Sequence, residues 1–144
     1  PVINSKGIFM GKLIEQLNGK NIKINITAVY SANQVKKILK KINKKTKVII
    51  SIFAGRAGDA GNDPIPEFEK SLKMVKNYKN VKILWASVRE PYNYIEAKRI
   101  GCHIITIPPS IISKIENFGK SLNKLSLETV KGFLEDSKKS KFKI

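Results

Sequence analysis

The chain has 144 residues, 42% of them hydrophobic, and sets 28 Lys plus Arg against 11 Asp plus Glu, a formal charge of +17. That suffices for one packed core, is too little for two comfortable domains, and is too apolar and too regularly spaced for a disordered basic tail. No uncharged run approaches the roughly 20 residues of a membrane-spanning helix, and one cysteine, Cys102, excludes a disulfide framework and a thiolate metal site. The chain opens at Pro1 without a basic-then-apolar leader. The expectation is a soluble, reduced, cytoplasmic single domain over residues 1–144.

Taken in chain order, a helical pattern over roughly Gly7 to Leu17 precedes the first strand, Ile22 to Tyr30. Ser31 with Gln34 makes a capping-box signature, and Val35, Ile38, Leu39 and Ile42 form the apolar stripe of a helix running to Lys45. A second strand covers Lys47 to Ala54. Asp63 and Pro64 open the next helix, with Ile65, Phe68, Leu72 and Val75 on one face. The third strand is Val81 to Val88, followed by a helix from Pro91 to Gly101 and a fourth strand, Cys102 to Ile107. Helical segments close the chain at Ser110 to Phe118 and Ser126 to Ser140, the latter expected to turn Leu127, Val130, Phe133 and Leu134 inward.

Strands alternating with helices predict a parallel α/β sheet. A flavodoxin-like sheet suits the length but normally has five strands. A (β/α)8 barrel needs about 250 residues, so four units would make one half. Pattern alone leaves both open. No Gly-rich phosphate loop of the mononucleotide or dinucleotide type follows any strand.

Both architectures place function at the carboxyl ends of the strands. Asn25 and Thr27 share a face of the first strand. Ser51, Phe53 and then Arg56 end the second, and Ser87 and Arg89 end the third. Only three of the basic residues are arginine, and two of them follow consecutive strands. Arginine there suggests planar recognition of phosphate or carboxylate, against the alternative of pairing with Asp59, Asp63 or Glu90. Cys102 and His103 are adjacent, so on a strand they point apart and form no nucleophile–base dyad. Asp59, Asn62 and Asp63 lack the spacing of a calcium loop and read as a turn and helix cap. The lysines spread over every helix, which reads as a solvated face rather than a specific nucleic-acid surface.

The blocks N-I-T-A-V-Y-S-A-N-Q (25–34), S-I-F-A-G-R (51–56), W-A-S-V-R-E-P (85–91), G-C-H-I-I-T-I-P-P (101–109) and F-L-E-D (133–136) resemble the carboxyl-terminal part of the transaldolase and fructose-6-phosphate aldolase family. The resemblance implies strands five to eight of a (β/α)8 (TIM) barrel that moves a three-carbon ketol unit through a lysine Schiff base, with no further cofactor and no metal. It implies that Asn25 contacts substrate near the Schiff base and Thr27 holds the catalytic water. It further implies that Ser51 and Phe53 line the pocket while Arg56, Ser87 and Arg89 hold the sugar phosphate. The opening P-V-I-N-S-K-G resembles the segment just after the family's lysine in the pattern K-I-P-x-T, which on that alignment places the lysine two residues before Pro1. No lysine of this chain takes that role, and the chain alone is expected to be inactive.

The expected partners are a sugar phosphate and either a second copy or the missing amino-terminal half, with no membrane. A half-barrel would leave an inner face holding Ser51, Phe53, Trp85 and Ser87. The competing readings are a non-catalytic, self-associating half-barrel and a basic nucleic-acid-binding α/β module.

Overall fold

A computed structural model of the chain describes residues 1–140. Two compact units divide it, Pro1–Ile112 and Ser113–Ile144, and each is taken by itself. In the first unit α1 (Gly11–Gly19) precedes β1 (Ile24–Val29), α2 (Ala32–Leu39), β2 (Val48–Phe53), α3 (Ala54–Asp59), α4 (Ile65–Val75), β3 (Val81–Ala86), α5 (Tyr92–Arg99) and β4 (Ile104–Ile105). The helix α6 (Pro109–Ile115) crosses the boundary, and α7 (Leu122–Ser140) lies in the second unit.

The strands form one parallel sheet in the order β1-β2-β3-β4. The alternation of apolar strands and amphipathic helices therefore yields the expected parallel α/β layer. Ser51 pairs with Leu84 and Ile52 with Trp85, so even-numbered residues of β3 share a face with odd-numbered residues of β2. One face buries Ile26, Val48, Ile50, Ile52, Val81, Ile83 and Trp85. Against it lie Val35 and Ile38 of α2 and Phe68 of α4, all fully buried. Each such side chain contributes roughly 1.5–3 kcal/mol by leaving water. Phe68 stacks on Trp85 with ring centroids 4.5 Å apart.

That stack corrects one expectation. Trp85 belongs to the helix-covered face, not to the inner face with Ser51 and Phe53. Leu84 and Ala86 take the inner positions instead. Both strands are so uniformly apolar that the sequence does not give the phase between them.

The helix starts follow their capping chemistry. Ser31 Oγ accepts from Gln34 N, and Gln34 Oε1 accepts from the backbone N–H of Tyr30 and Ser31, completing the capping box. Glu67 of α4 adds a carboxylate to the same helix start, accepting from Ala32 N at 2.6 Å. The helix ends at Leu39 rather than Lys45, because Asn43 Oδ1 takes the backbone N–H of both Lys45 and Thr46 and turns the chain. Asp63 caps as expected, accepting from Ile65 N at 2.9 Å.

The fourth strand is shorter than the sequence suggests, Ile104–Ile105 against Cys102–Ile107. His103 Nδ1, a side-chain atom, accepts the Ile83 backbone N–H there. In the second unit α7 buries no residue, and Leu127, Val130, Phe133 and Leu134 are more than half exposed. Their expected inward face is thus uncovered. A unit made of one long helix and a short lead-in is too small to bury an apolar stripe of its own.

Candidate functional site

At the carboxyl end of the sheet the backbone is strained where the polar residues sit. Ala28 has φ 56 and Ser87 has φ 64, left-handed values that L side chains seldom adopt. Ala28 lies in the register break of β1 between Ile26 and Val29, directly after Thr27. This bulge re-aims the strand end, as bulges beside functional sites do. Ser87 follows the last residue of β3, so the simple alternation that would put Ser87 and Arg89 on one face stops at Ala86.

Asn25 and Ser51 meet across β1 and β2. The Ser51 hydroxyl donates to Asn25 Oδ1 at 2.7 Å. Ser51 is buried while Asn25 is exposed, and Thr27 and Phe53 are half-buried. The structure therefore brings Asn25, Ser51 and their face-mates Thr27 and Phe53 to one surface of the sheet. Phe53 lies 6.0 Å from the Tyr30 ring, and the Arg56 guanidinium stands 5.6 Å over Phe53. That geometry is a cation–π contact.

Arg56 sits on α3, a short helix that the sequence reading missed. Gly55 and Gly58 weaken any helical signal in A-G-R-A-G-D. Gly55 also marks a close approach: a Cβ there would overlap the Ser87 carbonyl oxygen and crowd Arg89 Cγ. The glycine in F-A-G-R thus lets α3 press against the strained turn after β3.

Arg89 has its own partner. Its Nη2 donates to Asp59 Oδ2 at 2.7 Å, with both side chains about half exposed. Asn93 Oδ1 fixes the turn by accepting from Arg89 N and Glu90 N. The two arginines line separate clefts. Arg56 borders one of about 430 Å³ with Tyr30, Asn62, Asp63 and Glu67. Arg89 borders another of about 310 Å³ with Asp59, Trp85, Asn93 and Glu96. The structure does not bring the two guanidinium groups onto one cleft.

Cys102 is half-buried, and that burial pushes its thiol above the ordinary range. Such a group is a poor nucleophile. Among the described residues no group of three or more His, Cys, Asp or Glu side chains is placed to hold a metal. No described helix is long and apolar enough to cross a membrane.

Fold and polar face together define a parallel α/β protein of the kind that carries its chemistry at the carboxyl ends of its strands. The chain belongs to the Transaldolase/Fructose-6-phosphate aldolase family, whose pattern it matches over residues 8–144. It is similar to a probable transaldolase of Nitrosopumilus maritimus, 35% identical over 132 residues, which is 90% of this chain and 55% of the relative. A probable transaldolase of Chlorobium phaeovibrioides is 34% identical over 127 residues, covering 88% and 53%. One of Myxococcus xanthus is 30% identical over 130 residues, covering 89% and 54%. The chain spans about half the length of the curated relatives it matches.

Proposed function

We propose that this chain is the phosphate-binding, carboxyl-terminal half-barrel, strands five to eight, of a cytoplasmic enzyme that performs transaldolase-like aldol chemistry on phosphorylated sugars. The carrying observation is a coincidence of two facts. Family membership extends over residues 8–144, and Phe53, Arg56, Ser87 and Arg89 lie at or just past the carboxyl ends of β2 and β3. A protonated imine is an electron sink that lets a carbon–carbon bond break, and a phosphate clamp orients the sugar against it. In this reading Asn25 contacts the substrate near the imine, oriented by the Ser51 hydroxyl, and Thr27 holds the catalytic water. Phe53 walls the pocket. Arg56, Ser87 and Arg89 take the phosphate, for which Arg89 leaves Asp59 and the two exposed arginine side chains swing from their separate clefts toward one group. An exposed ion pair is worth about 0–1 kcal/mol, so that exchange is cheap. The imine lysine lies outside this chain.

Titration of fructose 6-phosphate followed by NMR tests the clamp in the parent protein, Arg56→Ala, Arg89→Ala and Lys40→Ala. Each arginine variant is expected to lose about tenfold to a hundredfold in affinity, the weight of one or two charge-assisted contacts. If Lys40→Ala loses as much, the signal is bulk charge and the clamp does not exist. Borohydride reduction in the presence of dihydroxyacetone should leave the mass of the chain unchanged. A stoichiometric adduct on one lysine overturns the assignment of that residue to the missing half.

A further inference from the structure

The amino end of the sheet holds a cleft whose lysines the proposed sugar-phosphate reading does not use. It has a volume of about 410 Å³ and is lined by Lys23, Lys47, Lys79, Lys82, Asn25 and Asn80, over an apolar floor that includes Ile49. Lys23 and Lys47 precede β1 and β2, Lys79 precedes β3, and Lys82 is its second residue. All four lysines are exposed. Among the described residues none of the four pairs with a carboxylate, whereas Lys41, Lys70, Arg89 and Lys120 each do. Four ammonium groups around one apolar hollow repel one another and raise the local anion concentration. Their side chains match an occupant that is acidic and partly apolar.

Two further observations narrow its kind. The floor of the cleft includes Ile24 and Ile49, against which apolar side chains of a polypeptide can pack and an inorganic anion cannot. A second copy of the chain would bring a net charge of +17 against +17, and facing lysine clusters repel.

We infer that the lysine cleft at the amino ends of β1 to β3 is the docking surface for an acidic polypeptide segment, its carboxylates on Lys23, Lys47 and Lys82 and its apolar side chains on the sheet. This rests on the half-barrel reading only in supplying a reason for a second polypeptide to be there. The sugar-phosphate clamp can fail without it, because the clamp is tested on arginines at the other end.

The experiment uses an acetylated, amidated peptide of alternating Glu and Val, about eight residues long to match a strand. Its binding is measured by calorimetry at near-physiological salt, with tripolyphosphate as a second probe. The triple variant Lys23→Gln, Lys47→Gln, Lys82→Gln is expected to lose at least about tenfold in peptide affinity. The helix-face control Lys36→Gln, Lys37→Gln, Lys40→Gln removes the same charge and is expected to lose less than about threefold. NMR shifts should fall on Ile49, Asn80 and Lys82. Should the triple variant fail to fold, Lys82→Gln alone is read the same way, since its side chain is exposed. Equal losses in the two triples overturn the inference in favour of bulk charge. Tighter binding of tripolyphosphate than of the peptide, with the same dependence on the three lysines, overturns it in favour of a small-anion site. Sedimentation showing a dimer that the peptide cannot displace overturns it in favour of a second copy.

Discussion

The two ends of the sheet are built from different materials. At the amino end, Asn18, Asn43, Thr46 and Asn80 knit the turns together. Asn43 N donates to Asn18 Oδ1 at 2.7 Å, Asn43 Nδ2 donates to Asn18 O, and Asn80 Nδ2 donates to the carbonyls of Asn43 and Thr46. At the carboxyl end the chain spends its stability on left-handed turns at Ala28 and Ser87 and on the tight approach at Gly55. Among the described residues the amino end has one non-glycine left-handed turn, at Asn21, a residue type that adopts it readily, and is otherwise bonded to itself; the other end strains an alanine and a serine and leaves its arginines near solvent. In a parallel α/β protein that division separates stability from chemistry.

The sharpest way to break the comparison is Gly55→Ala. The added methyl meets the Ser87 carbonyl oxygen and Arg89 Cγ, so α3 and the turn after β3 must separate. Overpacking of this kind is expected to lower stability by about 2–3 kcal/mol, and sugar-phosphate affinity should fall with it. Denaturant melts and the NMR titration read both. Gly58→Ala, where nothing lies within 4 Å of an added Cβ, is the matched control and should leave sugar-phosphate affinity unchanged while raising stability by up to about 1 kcal/mol.

Asn43→Ala probes the other end. It removes the acceptor of Lys45 N and Thr46 N and the donor to Asn18 O, and should lower stability by about 2 kcal/mol. Phosphate affinity should not change in the fraction that remains folded. An equal loss of phosphate binding would show that the two ends are not separable.

Much of this division is legible in the residues. The capping box at Ser31, the Asp63 cap and the four strands follow from side-chain chemistry acting over a few positions, which a sequence displays directly. The phase of β3 against β2 does not, because V-I-I-S-I-F and V-K-I-L-W-A are apolar on nearly every residue and offer no polar face to align. Trp85 is therefore expected on the wrong side. Nor is α3 visible, since its two glycines serve close approach rather than helix propensity. The arginines stand out by their rarity among lysines. Their separate clefts depend on α3 and on the φ of Ser87, neither of which has a local signature. The stripe on α7 has clear periodicity, but what covers it is not encoded in the stripe.

Asp59→Asn sharpens the reading of Arg89. The substitution removes the charge that holds the guanidinium at 2.7 Å and keeps the shape. Phosphate affinity is expected to rise about threefold, on the scale of an exposed ion pair no longer competing, while the melting midpoint stays within experimental scatter. Glu15→Gln, which frees Lys41 on the far helices, controls for the gain of net positive charge. If both variants tighten phosphate equally, Asp59 does not govern Arg89.

The smallest effect should come from His103, at the junction of β3 and β4. Its Nδ1 accepts the Ile83 backbone N–H at 3.1 Å, which requires that nitrogen to be unprotonated. Partial burial, and secondarily the charge of Lys82, hold its pKa below the ordinary 6.5. Lys76 and Lys79 line the same cleft beside Lys82, and no carboxylate among the described residues lines it to stabilise an imidazolium. The unfolded chain therefore takes up this proton at a higher pH than the folded one. The contribution is fully present above about pH 6.5 and is lost as pH falls through the lower, folded value. The carboxylate of Glu67 acts in a separate window. Its pKa is lowered from 4.5, mainly by the Ala32 N–H and then by Lys70, so its contribution is lost only under more acid conditions. Melting curves taken in small steps downward from pH 7 should show a shallow first decline, with the β3–β4 amides exchanging faster. In His103→Gln the side-chain carbonyl can accept the same N–H without titrating, so that first decline should vanish while the Glu67 step remains. A parent-like decline in His103→Gln would assign it to another group and leave the His103 bond without a role in stability.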